Sequence, residues 1–408
     1  MRFQKRHFFY SLILFFFLTA PAIAQLPPNL PNSDLGPDVP AFRVRPGYRV
    51  TRALPKNTPL LRRARFIEFS SDGKTLYLSE WRAGTILALR NPDADGVYQS
   101  VTEFIKGRPY AQGMCYHDGW LYFACSGDGS VTRARDTKGD GVADQIEFVA
   151  PPGTFPKGGG HPYAGLLVTD KNIYYSVSDP QNMTDQLPSD RKTIYVLNLD
   201  GSNKQVFCTG VRNTEKLRYR PGTTEIWGFD NGNDRFGHIY GETDGSDQPI
   251  TDLNPPEEFN LYVQGAFYGQ PFIDGDRVPR PEFANRPDIL DLARKTTPPE
   301  WDVHAHWAVL GFTFITKNYF PSVQPGDCFF ASHGSWDSVH PVGACVQHLM
   351  FDPLTGKPYG SQTIVDCAGP DRRYARPVDC TEAPDGSILF TSDEPPALYR
   401  ITKSNDKR

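Results

Sequence analysis

The sequence predicts an all-β protein, a six-bladed β-propeller of four-stranded antiparallel blades. Three observations predict it. First, 36 Gly and 37 Pro among 408 residues interrupt helix interiors too often for a helical fold. Second, 6 Trp, 19 Tyr and 27 Phe mark a chain that packs a core rather than staying disordered. Third, one short unit recurs: a turn, an aromatic strand, then a small or polar residue. Its apolar pairs are Leu76-Tyr77, Leu121-Tyr122, Ile173-Tyr174, Ile226-Trp227, Phe329-Phe330 and Leu389-Phe390. The common spacing of roughly 50 residues suits one four-stranded blade.

The elements follow in order. Residues 1–24 read as a secretory signal. Arg2, Lys5 and Arg6 precede a short apolar run, and Ala22-Ile23-Ala24 forms an A-x-A cleavage site. A membrane anchor is the competing reading, but a span needs about 20 apolar residues. Residues 25–44 read as a flexible Pro-rich leader. The propeller occupies 45–403, and 404–408 is a tail. An apolar strand precedes each turn, at 65–69, 113–116, 165–168, 217–219, 311–314 and 378–381. Further strands follow the aromatic ones, as at 130–133 and 145–149 or 194–197 and 205–208. The one double-length spacing falls after the strand at 225–229. There, residues 235–307 read as a long Pro-rich insertion of blade four.

Net charge is −4, so nothing global recruits nucleic acid or an anionic membrane. The seven cysteines are odd in number and show no C-x-x-C spacing. Cys367 and Cys380 are the candidate disulfide; buried thiols are the alternative. The aspartate turns at Asp93/Asp95 and Asp136–Asp144 read as turn chemistry, with Ca²⁺ binding as the alternative.

Five loops carry candidate chemistry. Three glycines, 158–160, precede His161, a residue able to accept a proton near neutral pH; a structural hydrogen bond is the plainer reading. Arg212 offers a donor fork for a carboxylate or developing oxyanion, and Asn213 a donor and an acceptor. Glu258, with the glycine-flanked carbonyls near Tyr268, supplies hard oxygen ligands suited to Ca²⁺. His333-Gly-Ser-Trp336-Asp337 closes blade five. Arg376 and Asp393 mark blade six.

Together these loops resemble the soluble PQQ-dependent sugar dehydrogenases, the glucose/aldose and sorbosone dehydrogenase family. The resemblance spans roughly 45–403 and is strongest from Gly158 onward. Its most specific motif is P-x-E-E-F-N…G-x-F-Y-G-x-P over residues 255–271. The resemblance implies a six-bladed propeller holding pyrroloquinoline quinone (PQQ) and Ca²⁺. It implies His161 as catalytic base and Arg212 and Asn213 as cofactor and substrate contacts. It places Gln112, His333, Arg376 and Asp393 at the cofactor, and Glu258 with the Tyr268 carbonyl on Ca²⁺. The expected activity is oxidation of a sugar in the periplasm or outside the cell, with an external electron acceptor. The sequence departs from the pattern at Val378, Ala164, His333 and Asp337-Ser338, where branches of the family carry cationic or Asn-Arg residues. PQQ has three carboxylates, so each lost cation weakens its hold. The alternatives are a carbohydrate- or protein-binding propeller and a Ca²⁺-dependent lactone hydrolase.

Overall fold

The computed structural model describes residues 34–80, 84–185, 189–369 and 373–404. The signal segment and residues 25–33 of the leader fall outside these residues. Six sheets are arranged as blades, each with its first strand innermost. Blade one runs Ala64–Phe69, Thr75–Glu80, Ile86–Pro92, Tyr98–Ile105. Blade two starts at Ala111–His117 and blade three at Leu166–Val168. Blade five starts at Val309–Phe314 and blade six at Pro377–Glu382. All pairings within these four-stranded units are antiparallel.

Blade six closes the ring with an N-terminal strand. Tyr48–Arg52 pairs antiparallel with Pro396–Lys403, matching Tyr48 to Lys403 and Arg52 to Tyr399. The leader reading is corrected here. Residues 34–44 are not a flexible tether: Asp34–Leu35 adds a parallel edge strand to blade six and Arg43–Val44 an antiparallel one to blade five. Phe42 is the reason. It is 2% exposed and packs edge-on against Tyr399, with centroids 5.1 Å apart, which anchors the segment by apolar burial.

The insertion begins after Ile226–Asp230, and blade four then recruits both its outer strands from residues 235–307. Glu257–Tyr262 and Trp301–Val303 pair onto it in turn. Between them lie a two-stranded hairpin at Ile273–Asp274 and Val278–Pro279 and the helix Ile289–Lys295. Apolar clusters fill the spaces between blades. Between blades four and five, Phe229 stacks on Phe259 at 4.1 Å, and Trp227, Phe312, Phe314, Phe330 and Phe351 surround them.

The inner strands approach one another closely. A methyl at Gly113 would meet the Ala164 carbonyl at 2.1 Å, and one at Gly311 the Asp379 carboxylate at 2.1 Å. Inner strands of blades one, two and six also carry register shifts near their starts. Such bulges re-aim side chains, and the residues within them are Arg65, Gln112 and Asp379.

The predicted disulfide does not form. All seven cysteines are free and buried, and the Cys380 thiol donates to the Phe329 carbonyl at 3.0 Å. Burial pushes the Cys115 thiol up to about 11, so these thiols are inert packing groups. The Asp136 turn is likewise a backbone device. Its carboxylate accepts from the amides of Lys138, Gly139 and Gly141. Among the described residues no helix is long and apolar enough to cross a membrane.

Candidate functional site

The candidate residues other than Glu258 and Tyr268 lie at one end of the propeller, where inner strands begin and second strands finish. The structure separates them into three groups.

The first group lines an open cleft of about 420 Å³. It contains His161, Arg212 and Asn213, joined by Gln181, Asn182, Asn231, Asp234, Glu257, His306 and Trp336. His161 Nδ1 donates to the Asp179 carbonyl at 2.9 Å. That fixes the tautomer and leaves Nε2 with a lone pair. Burial, and then the Arg212 charge, pulls its pKa from 6.5 to about 4, so it is a neutral base at pH 7. The glycine run has a different use from close approach to a ligand. A Cβ on Gly159, at φ +126°, would meet Pro180 Cα at 2.7 Å. The glycines thus seat the loop against residues 179–180, and this places His161.

Arg212 is 3% exposed. Its Nε and Nη2 donate to the Asn182 carbonyl and side chain at 2.8 and 3.0 Å, and Nη1 to the Asn231 carbonyl at 3.1 Å. Three of five N–H donors are spent, and two remain for a ligand. Asn213 donates to Asn231 at 3.0 Å and accepts from Ser178 at 3.0 Å. Asp230 holds this loop, since its two oxygens accept the Arg212 and Asn213 amides. Burial pushes Asp230 up to about 7. Across the cleft, His306 donates through Nε2 to the Thr251 carbonyl at 2.6 Å and faces Asp234 at 3.8 Å. Burial works to raise the Asp234 pKa, but His306 and Arg212 outweigh it and hold the group ionised. Glu257 accepts from Ala308, Val309 and Asn231, so both its oxygens are committed.

The second group lies on the propeller axis and does not line the cleft. Gln112, His333 and Asp393 belong to it, and Arg65 is its centre. Arg65 donates to Gln112 at 3.1 Å and pairs with Glu215 at 2.9 Å and Asp393 at 3.4 Å. Gln112 in turn donates to Glu215 at 2.8 Å. His333 Nε2 donates to Asp393 at 3.0 Å, while its Nδ1 accepts from Arg376 at 2.8 Å. Both imidazole nitrogens are spent, and burial lowers the His333 pKa to about 4. Arg376 reaches from this group to the surface and is half-buried. Beneath lies a second tier, Lys216 on Asp379 at 2.6 Å. A third pairs Arg218 with Glu68. The axis is therefore filled by ion pairs among blades one, four and six.

The third group is Glu258, with Tyr268 nearby in sequence. Glu258 accepts from the Gly275 amide at 2.8 Å and the Asn260 amide at 3.1 Å. Burial, then the charges of Asp230 and Asp274, raise its pKa well above the usual range. Asn260 Oδ1 beside it is buried without a hydrogen-bond partner. Tyr268 is fixed through its hydroxyl, which donates to the Leu261 carbonyl at 2.5 Å. Among the described residues, no three His, Cys, Asp or Glu side chains converge as a metal cluster.

Sequence reasoning missed Arg65, Glu215, Asn231, Asp234 and His306. A signal existed for the axis. Arg65, Glu68, Glu215, Lys216 and Arg218 interrupt otherwise apolar inner-strand patterns, and buried charges require partners. Asp234 adjoins the insertion and His306 lies within it, where no periodicity assigns a residue to a face.

No family model matches the chain. An uncharacterized protein of Borreliella burgdorferi is 28% identical over 252 residues, which is 60% of this chain and 62% of that protein. Among solved structures, the PQQ domain of pyranose dehydrogenase from Coprinopsis cinerea, in holo form, superposes with a TM-score of 0.73. It is 18% identical, covering 90% of this chain and 99% of that one. A calcium structure of a Trichoderma reesei enzyme of carbohydrate-active family AA12 gives 0.74 at 18% identity, over 91% and 99%. The soluble aldose sugar dehydrogenase of Escherichia coli, in apo form, gives 0.59 at 14% identity, over 88% and 100%. The fold of this chain is thus the six-bladed propeller that these proteins share.

Proposed function

We propose that the chain is an exported oxidoreductase of the PQQ-dependent sugar dehydrogenase type. One observation carries the reading: a neutral His161 with a free Nε2 opens into the same polar cleft as a buried Arg212 with two unspent donors.

The residues fit the implied groups. Glu258 and the partnerless Asn260 Oδ1 are hard oxygen donors of the kind Ca²⁺ takes, and Tyr268 would add its carbonyl. A cleft of about 420 Å³ falls within the usual range for cofactor sites. Arg212 supplies a cation for acidic substituents. When bound, the quinone would supply the acceptor for the hydride equivalent.

The chain's own part is proton handling and positioning. His161 Nε2 takes the proton of a sugar hydroxyl or hydrated carbonyl. The unspent donors of Arg212 stabilise the oxygen as it becomes negative. Asn182 and Asn231, by fixing that guanidinium, spare the site reorganisation during the reaction. Asp234 accepts from substrate hydroxyls. The electrons would pass to an external acceptor.

The test is direct. Purified mature protein is incubated with PQQ and Ca²⁺, and quinone absorbance and dye reduction are followed over a panel of aldoses and sorbosone. Stoichiometric binding with reduction by one sugar supports the reading. Absence of quinone binding in the presence of Ca²⁺ would overturn it and favour a saccharide-binding propeller, a reading the exposed Trp336 at the cleft also fits.

A further inference from the structure

Trp336 is the anomaly of the site. It is 83% exposed and lines the same cleft as His161 and Arg212. An indole carries a large apolar surface that folding normally covers at least in part. Here the chain holds the surrounding backbone firmly and leaves the ring in water. The Gly334 amide donates to the Trp307 carbonyl at 2.9 Å, and Ser335 to Val342 at 2.9 Å. Arg373 donates to the Ser335 carbonyl at 2.9 Å. On the other side, Asp337 accepts the Arg235 amide at 2.7 Å, and its carbonyl accepts Gln248 at 2.8 Å. The loop is thus tied to blade six and to the 235–256 excursion, and the ring is presented from a fixed base.

The chemistry around the ring narrows its ligand. The exposed Gln181 amide and the ionised Asp234 line the same cleft. An aromatic face beside an amide and a carboxylate matches a pyranose. The ring's C–H face is apolar and weakly positive, which suits the negative face of an indole. Its hydroxyls project from the edge toward acceptors. Depth adds a second argument. Arg212 is 3% exposed and Trp336 83%, so the two stand at the floor and the rim.

We propose that Trp336 is the platform of an outer sugar subsite, holding the ring next to the one placed at His161. The proposal rests on the sugar-oxidising reading and names its substrate class: an oligosaccharide end rather than a free monosaccharide.

The test measures binding without cofactor or turnover, so failure of the dehydrogenase reading leaves it interpretable. The full mature chain is titrated by calorimetry and indole fluorescence with glucose, galactose and xylose, and with cellobiose, maltose, lactose and xylobiose. One disaccharide should bind at least about tenfold tighter than its monosaccharide and change the indole emission. Trp336→Ala should cost roughly that factor in disaccharide affinity, the scale of truncating an aromatic anchor that its ligand covers. Trp336→Phe should retain most of the preference. Equal disaccharide affinity in wild type and Trp336→Ala overturns the proposal. So does a wild-type protein that binds no panel member.

Discussion

The cleft and the propeller axis use the same residue types to opposite ends. Each contains a histidine, an arginine, carboxylates and amides. On the axis, His333 spends both ring nitrogens, one on Asp393 and one on Arg376. In the cleft, His161 spends one nitrogen on the Asp179 carbonyl and keeps the other. Arg65 is shared by Gln112, Glu215 and Asp393, whereas Arg212 is held by neutral acceptors and keeps two donors. The lesson is that residue type does not assign chemistry; unspent hydrogen-bonding capacity does.

The largest effect expected from this contrast is kinetic. His161→Asn should lower turnover with a saturating sugar by about 10²–10⁴-fold, the range for losing a general base, with an unchanged melting temperature. His333→Asn should do the reverse, lowering the melting temperature while turnover per folded molecule stays within a few-fold. Equal kinetic losses would erase the distinction between the two regions.

Next comes the axis itself. Lys216→Met leaves Asp379 buried without its cation, and breaking such a pair costs about 3–5 kcal/mol. Urea unfolding measures it. Lys216→Met combined with Asp379→Leu should recover much of the loss, because two apolar groups carry no unpaired charge. A double variant no more stable than the single one would show that the pair does more than neutralise itself.

Calcium gives a smaller effect at the third group. At 100 times its dissociation constant, Ca²⁺ should stabilise the fold by about 2.7 kcal/mol through mass action. A chelator should remove that gain, and Glu258→Gln should abolish it. An undiminished Ca²⁺ response in Glu258→Gln would move the metal elsewhere.

The smallest effect is on pH. His161 and His333 each have an ordinary value of 6.5 and titrate at about 4 in the fold. Between those values the unfolded chain holds protons that the folded chain lacks. Stability should therefore fall as pH drops from about 6.5 to about 4, then level off in their contribution. The acid limb of kcat/KM should lie near pH 4, because His161 stays neutral above it. A limb near 6.5 would show that His161 is more solvated than its burial indicates.

Much of this was legible in the sequence. The aromatic pairs at Leu76-Tyr77, Leu121-Tyr122, Ile173-Tyr174, Ile226-Trp227, Phe329-Phe330 and Leu389-Phe390 mark the second strand of every blade. The His161 and Arg212 loops were found at matching places in successive blades, and they share one cleft. Residues 34–44 of the leader were misjudged because two-residue edge strands have no periodicity to read. Their order comes from Phe42 reaching Tyr399. The disulfide reading failed for a related reason: spacing along the chain says nothing about where a thiol points.

The sequence by itself determined the blade count, because strand alternation and turns are local and repeat with the fold. Only the tertiary structure decided which charged groups are free. Arg65 meets Asp393 across 328 residues and Glu215 across 150, so its pairing is invisible to any local pattern. Ring closure brings those partners together, and whatever they leave unpaired is the site.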